Sequence, residues 1–312
     1  MKFLRSANDW LFGWGSAATV CLFRILICGL ALVNFLMISI DFETWFTERG
    51  LQPASFYERW GGGVWRINLL YQVTDERVTL AFYIGVVLLA LLSTLGLFSR
   101  VVVPLLAIGV VTLHHRSPDI LHSGDTLLRN MLIILSFANT GAYYSVDAWL
   151  KRRKNPDYLP AEVSLWPQRV MILQLCIVYL TTVLHKANGN LWRDGTAIWY
   201  SSNLLEFERF PMPPFTKEMP YIKVATYSTL IVELALTTLV FSKPLRKWVL
   251  LAGVALHAGI EYSMNIPLFA VIIVSCYVNF YEGEEVQAWV AKMRAKLPRK
   301  EEKDAAATPA PS

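Results

Sequence analysis

QRVMILQLCIVYLTTVLHKANGNLWRDGTAIWY, residues 168–200, decides how the chain is read. From Val170 to Leu184 it is an apolar run without a charged residue. With its flanks it reaches the ~20 residues an α-helix needs to cross a hydrocarbon core ~30 Å thick. The run ends on His185 and Lys186, followed by a Gly/Asn turn and an aromatic cluster, Trp192, Trp199 and Tyr200. A lysine on the last turn of such a helix is either an anchor that snorkels to the headgroups or a working base, because withdrawal from water disfavours a charged amine.

The whole chain agrees with that reading. Of its 312 residues 54% are hydrophobic and 17% charged, against about 25% charged in soluble domains, and the mean hydropathy is +0.40. The net charge of +5 does not point to nucleic acid, since the basic residues cluster in short segments beside apolar runs, which is a mark of membrane topology. Cys21, Cys28, Cys176 and Cys276 all lie within apolar runs and lack metal-ligand spacing, so neither a disulfide nor a redox motif is expected. The first apolar run has no small-residue cleavage site after it and is read as a retained span.

The pattern predicts an all-α membrane protein, a bundle of about eight transmembrane helices. Residues 1–19 form an interfacial amphipathic lead-in, residues 20–282 the transmembrane domain, and residues 283–312 a charged, disordered cytoplasmic tail. The spans are expected at 20–40, 78–98, 101–113, 126–140, 168–186, 221–241, 248–262 and 266–281. Lys151–Lys154 is the strongest positive-inside mark and places both termini in the cytoplasm of a cell (inner) membrane. The polar connections 41–77, 114–125 and 187–220 then gather on the non-cytoplasmic face. In the first of these, Gly61–Gly63 reads as a turn, because no GK[ST] follows and no strand precedes it. The stretch HHRSPDILHSGD, 114–125, is rich in His and Asp, but its spacing matches no metal-binding pattern. It is read as a polar loop with Ser123 or Asp125 at the N-cap of the fourth span. Three intramembrane charges stand out: Arg24, Glu233 and His257. Arg24 reaches either the headgroups or an intramembrane carboxylate such as Glu233. The chain has no clear internal repeat and no matched pair of Gly/Pro-broken spans, which argues against a transporter.

Several segments, taken in order, resemble the vitamin K-dependent γ-carboxylase-like membrane family, also called the HTTM domain. They are LFRILICGLAL (22–32), HSGDTLLRNMLIILSF (122–137), YYSVDAW (143–149), IVYLTTVLHKANGNLWRDGTAIWY (177–200) and HAGIEYSMNIPLFAVIIVS (257–275). The resemblance covers roughly residues 15–282. It sets Lys186 where the family's catalytic lysine lies, His185 in place of a first lysine, and His257 on a family histidine. It implies an enzyme, a quinol-dependent carboxylase-like lyase or oxidoreductase, whose cofactor is a reduced quinone such as vitamin K hydroquinone; no metal is expected. In that chemistry the lysine deprotonates the quinol, oxygen converts the anion to an epoxide, and a strong base formed on the way removes a proton from the substrate. The candidate catalytic residues are thus Lys186, His185 and His257. The candidate pocket residues are Trp192, Trp199, Tyr200, Glu233, Asp125 and His122.

The chain departs from the family pattern where Ala142 stands in place of a histidine before the Ser-Val-Asp turn. It also ends soon after the eighth span, so a peptide substrate would be recognised by the short loops or by an accessory subunit. Small bacterial members of similar size belong to peptide-toxin maturation systems. The alternative to an enzyme is therefore a non-catalytic membrane subunit of a peptide (toxin) maturation or export system. The lipid bilayer is the partner on either reading.

Overall fold

The computed structural model describes residues 2–51, 53 and 66–296. In chain order the helices are α1 (Lys2–Phe12), α2 (Ala18–Ile38), α3 (Glu76–Leu95), α4 (Ser99–Arg116), α5 (Ser123–Leu135), α6 (Val146–Lys154), α7 (Trp166–Asn188), α8 (Met219–Thr237), α9 (Lys243–Ser263), α10 (Phe269–Cys276) and α11 (Gly283–Ala295). Short helical turns join them, among them Phe42–Phe46, Asn190–Arg193 and Ala197–Ser202. Among the described residues the sheet structure is one antiparallel pair of two-residue strands, β1 (Trp14–Gly15) and β2 (Val163–Ser164).

Helices α2–α5 and α7–α10 coincide with the eight apolar runs. Three stretches among the described residues are long and apolar enough to cross a membrane: Ala18–Phe46, Glu76–Leu95 and Trp166–Asn188. The other helices are shorter or charged, with Asp125 in α5, Lys223 and Glu233 in α8, and Lys243 and Arg246 in α9. Helix α2 lies centrally and buries Ala18, Cys21, Cys28 and Ala31. Small side chains of this kind let neighbouring helices approach closely, and α3, α5 and α10 pack against it. Helix α7 packs between α5 and α8, and α9 packs between α8 and α10.

One end of the bundle is organised by Arg24, which is fully buried. Its Nε donates to Thr140 O (3.1 Å), Nη1 to Ser93 O (2.5 Å) and Thr94 O (2.8 Å), and Nη2 to Tyr144 O (2.7 Å). The expectation that Arg24 reaches the headgroups or pairs with Glu233 is therefore corrected. A guanidinium carries five donors on a rigid fork, and the last-turn carbonyls of α3 lack helical partners, so the two sets satisfy each other. Gly96, at φ +73°, makes this approach possible, since a Cβ there would lie 2.5 Å from Arg24 Nη1. Asp147 closes the same knot by accepting from the backbone N–H of Phe98 and Ser99 and from the Ser99 hydroxyl, each at 2.8 Å. The Ser-Val-Asp turn is thus an N-terminal cap for α4.

The polar connections gather at the other end. Arg116 meets Glu48 at 3.0 Å, His115 Nδ1 lies 2.8 Å from Ile67 O, and Glu208 bridges Met264. The cap of α5 is His122 rather than Ser123 or Asp125. His122 Nδ1 accepts from Gly124 N at 3.0 Å, while Asp125 accepts from His122 N at 3.0 Å, a reciprocal capping box. Residues 283–295 of the expected disordered tail are the helix α11, started by a second reciprocal cap in which Glu282 N donates to Glu285 (2.8 Å). Residues 297–312 and the turn at Gly61–Gly63 lie outside the described residues.

Candidate functional site

The candidate site is built on two polar stripes that face each other. On α7, Tyr179, Thr182 and Lys186 stand at i, i+3 and i+7; on α8, Thr226, Thr229 and Glu233 do the same. That spacing puts each triplet on one side of its helix. Lys186 Nζ forms an ion pair with Glu233 Oε1, and Thr182 Oγ1 lies 3.4 Å from the other carboxylate oxygen. The Glu233 side chain is 7% exposed and that of Lys186 23%. The paired ammonium and carboxylate carry no net charge, which makes them tolerable beneath apolar side chains.

After Lys186 the helix ends at Gly189, whose extended backbone starts the short turn Asn190–Arg193. That turn folds Trp192 back so that Lys186 Nζ lies 4.8 Å from the centre of its ring, a cation–π contact. The loop beyond is fastened to α8, because Tyr227 donates to Arg193 O (2.8 Å) and Ile198 N donates to Thr226 (3.3 Å).

Lys186 borders two cavities. The larger, about 590 Å³, lies between α8, α9 and the 192–212 loop, and its lining includes Trp192, Ser201, Ser202, Met212, Ala255 and Gly259. Ala255, Gly259 and Ser228 in its walls are exposed, and exposed Leu251, Val254 and Ile231 flank them, so it opens on the outer apolar face of the bundle. The smaller, about 340 Å³, is lined by Tyr179, Thr182, Glu233, His257, Asn130 and apolar side chains such as Leu127 and Ile273. Ile260 and Phe269 border both.

The expected site residues divide accordingly. Lys186, Glu233, His257 and Trp192 are brought together. His185 is exposed and borders neither cavity. Successive residues of an α-helix are rotated by about 100°, so His185 cannot share the face of Lys186. Trp199 and Tyr200 pair edge-to-face at 5.0 Å, stay exposed, and also miss both cavities. Their short helix turns Ile198, Ser201 and Ser202 inward instead. Asp125 is buried but spent on the cap of α5 and on Asn34 Nδ2 (2.9 Å). His122 borders neither cavity. Its ring stacks edge-on against Phe269 at 6.1 Å, and its Nε2 donates to Pro267 O at 2.8 Å.

Sequence reasoning missed Tyr179, Thr182, Phe269 and Tyr277. The signal for the first two was present in the seven-residue polar spacing inside an apolar helix. Phe269 and Tyr277 had none, as only the fold brings α10 and the following turn to α7. Tyr179 Oη lies 2.8 Å from His257 Nε2 and 2.7 Å from Tyr277 Oη.

Comparison with known proteins places these features in context. A family model described as the HTTM domain matches residues 16–284. The chain is also similar to the sporulation-delaying protein SdpB of Bacillus subtilis (strain 168), 27% identical over 137 residues. That match covers 42% of this chain and 42% of the relative, so it spans less than half of either. No solved structure matches.

Proposed function

The chain belongs to the HTTM domain family, and from that premise we propose a multi-pass membrane enzyme in which Lys186 is the base acting on a reduced quinone. The observation that carries this reading is the position of Lys186 Nζ, between Glu233 and the Trp192 ring and on the wall common to two cavities. The residues present suit an isoprenoid-bearing ring. The larger cavity falls within the about 300–1,000 Å³ usual for small-molecule sites, it opens among apolar side chains, and its polar end holds Lys186, Ser201 and Ser202. When bound, a reduced quinone would supply an acidic hydroxyl and the reducing equivalents for generating a stronger base. Glu233, in contact with Lys186 Nζ, is the group placed to take the ammonium proton, and that transfer would free the amine lone pair to accept a proton from the quinol. Trp192 covers that amine, while the Thr182 hydroxyl donates to Tyr179 O at 2.8 Å and stands 3.4 Å from the carboxylate.

The topology that goes with this function sets Lys151–Lys154 and both termini in the cytoplasm of a cell (inner) membrane. Eight crossings put the Lys186 end of α7 on the outer side. A peptide or small molecule, presented directly or by an accessory subunit, is the proposed second substrate. In nanodiscs, Lys186→Ala should abolish oxygen-dependent epoxide formation from vitamin K hydroquinone while leaving insertion intact. Unchanged turnover in that variant removes the proposal.

A second reading, a non-catalytic subunit of a peptide (toxin) maturation or export system, is favoured by Ala142, which is buried at the opposite end from Lys186 beside the Arg24 knot. Copurification with a partner protein, and absence of quinone in lipid extracts of the pure protein, would support it. A stoichiometric bound quinone would exclude it.

A further inference from the structure

The hydrogen-bonded line from Tyr277 through Tyr179 to His257 runs from the interior of the bundle to the wall of the smaller cavity. All three residues are buried, at 5%, 3% and 3% exposure. Tyr277 reaches α7 past Gly253 on α9, where a Cβ would lie 2.5 Å from its hydroxyl oxygen. His257 Nδ1 is buried and has no partner among the described residues.

Counting protons orients this chain. Each tyrosine hydroxyl donates once, and a neutral imidazole donates from one nitrogen. If Tyr277 donates to Tyr179 and Tyr179 to His257 Nε2, both hydroxyl protons are used and the imidazole proton sits on Nδ1. In the reverse direction Nε2–H donates to Tyr179 and Tyr179 to Tyr277, which strands the Tyr277 proton without an acceptor among the described residues. Each direction leaves one buried donor unmade, at a cost of about 1–3 kcal/mol. The first leaves it on His257, which lines the smaller cavity where a guest can answer it, and the second on Tyr277, which lines neither cavity, so the first direction is the one a ligand completes. The same logic holds at His122, where Nδ1 accepts from the α5 cap and Nε2–H donates to Pro267 O.

We propose that Tyr277 and Tyr179 are positioning residues that hold His257 as an Nδ1–H donor, and that the smaller cavity takes a ligand oxygen on that donor. The ligand group is a carbonyl or an oxyanion. Among the described residues Glu233 is the carboxylate that lines that cavity, and it is already engaged by Lys186. Ser123, Thr126 and Asn130 also line the cavity, and none of them is bonded to His257 Nδ1. The inference deepens the reading of Lys186 as base and rests on it for the ligand alone; the tautomer stands on the hydrogen bonds. Two sources share this chemistry, the ring carbonyl of a quinone and the carboxylate of a small acid or peptide.

The test is nitrogen NMR of the full chain in nanodiscs, labelled with ¹⁵N-histidine, with the His257 signals identified by their loss in His257→Gln. The wild type should show a single tautomer with a protonated Nδ1 and an unprotonated Nε2, and Tyr179→Phe should convert it to a mixture. A protonated Nε2 with an unprotonated Nδ1 in the wild type overturns the proposal, whatever the variants do. Addition of 2-methyl-1,4-naphthoquinone should shift the Nδ1-bound proton, which supports both the donor role and the quinone. A proton unmoved by the quinone but shifted by acetate keeps the donor role and removes the quinone as its ligand. A proton unmoved by either overturns the ligand-binding role.

Discussion

Glu233 on α8 takes the ammonium of Lys186 on α7, from a position 47 residues away in the sequence, where a seam between two apolar helices would otherwise bury either charge alone. The pair sits one turn from the end of α7, beneath Trp192, and so joins helix packing to the candidate chemistry. Whatever acts on Lys186 also acts on how α7 and α8 hold together.

Breaking this pair should destabilise the protein more than removing it. Removal of one partner from a fully buried pair costs about 3–5 kcal/mol, and the partial exposure of Lys186 reduces this to about 2 kcal/mol for Glu233→Gln or Lys186→Met. The double variant Lys186→Met/Glu233→Leu should recover most of the loss. Thermal unfolding in detergent, taken as a double-mutant cycle, reads the coupling; additive losses would mean that the pair is not formed.

Arg24 is expected to be a structural residue. Arg24→Met takes the guanidinium from the carbonyls of Thr94, Thr140 and Tyr144 and leaves Ser93 O only the Gly96 N–H, and should lower stability by about 3 kcal/mol or more. Arg24→Lys should not rescue it, because an ammonium is a point charge and cannot span the carbonyls of Ser93, Thr94, Thr140 and Tyr144 together. Quantifying folded protein after detergent extraction at rising temperature tests this, and full recovery in the lysine variant would refute it.

Gly253→Ala should disturb the tyrosine chain while leaving Lys186 and Glu233 in place. Its methyl group would meet the Tyr277 hydroxyl and Leu236, an overpacking that costs typically about 1–3 kcal/mol. Tyr277→Phe in the same background removes the hydroxyl and should recover part of that loss. Unfolding temperatures of the two single variants and the double one decide the matter.

Gly259 tests the larger cavity. Nothing lies within 4 Å of a Cβ built there, and the residue borders the opening. Gly259→Phe should therefore leave stability within about 0.5 kcal/mol, as at surface sites free of special contacts. It should also reduce copurifying amphiphile several-fold in mass spectra of lipid extracts. Equal ligand content in variant and wild type would show that this cavity holds no lipid-borne molecule.

Much of the site could be read along single helices. Lys186 stood out as a lysine closing an apolar run, and Glu233 and His257 as charges or titratable groups inside apolar runs. His185 enters through the family resemblance and, in the sequence, Trp199 and Tyr200 as aromatics that flank Lys186. Helical rotation separates them from it: His185 projects outward, and the helix Ala197–Ser202 turns Ser201 and Ser202 to the cavity in place of the two aromatics. Asp125 and His122 read as pocket residues, yet they cap the start of α5 and spend their remaining bonds on Asn34 and Pro267 O.

The sequence by itself determined the class of fold, because the length and apolarity of a run decide whether it can satisfy its backbone inside a membrane, and both are local properties. It also located the helix carrying the candidate base. Only the tertiary structure decided partners. Arg24 could equally have met headgroups or Glu233, and it met carbonyls; Lys186 could have snorkelled, and it met Glu233. Such choices depend on which helix ends and faces come within hydrogen-bonding reach, about 3 Å, and that distance is set by packing between segments far apart in the chain.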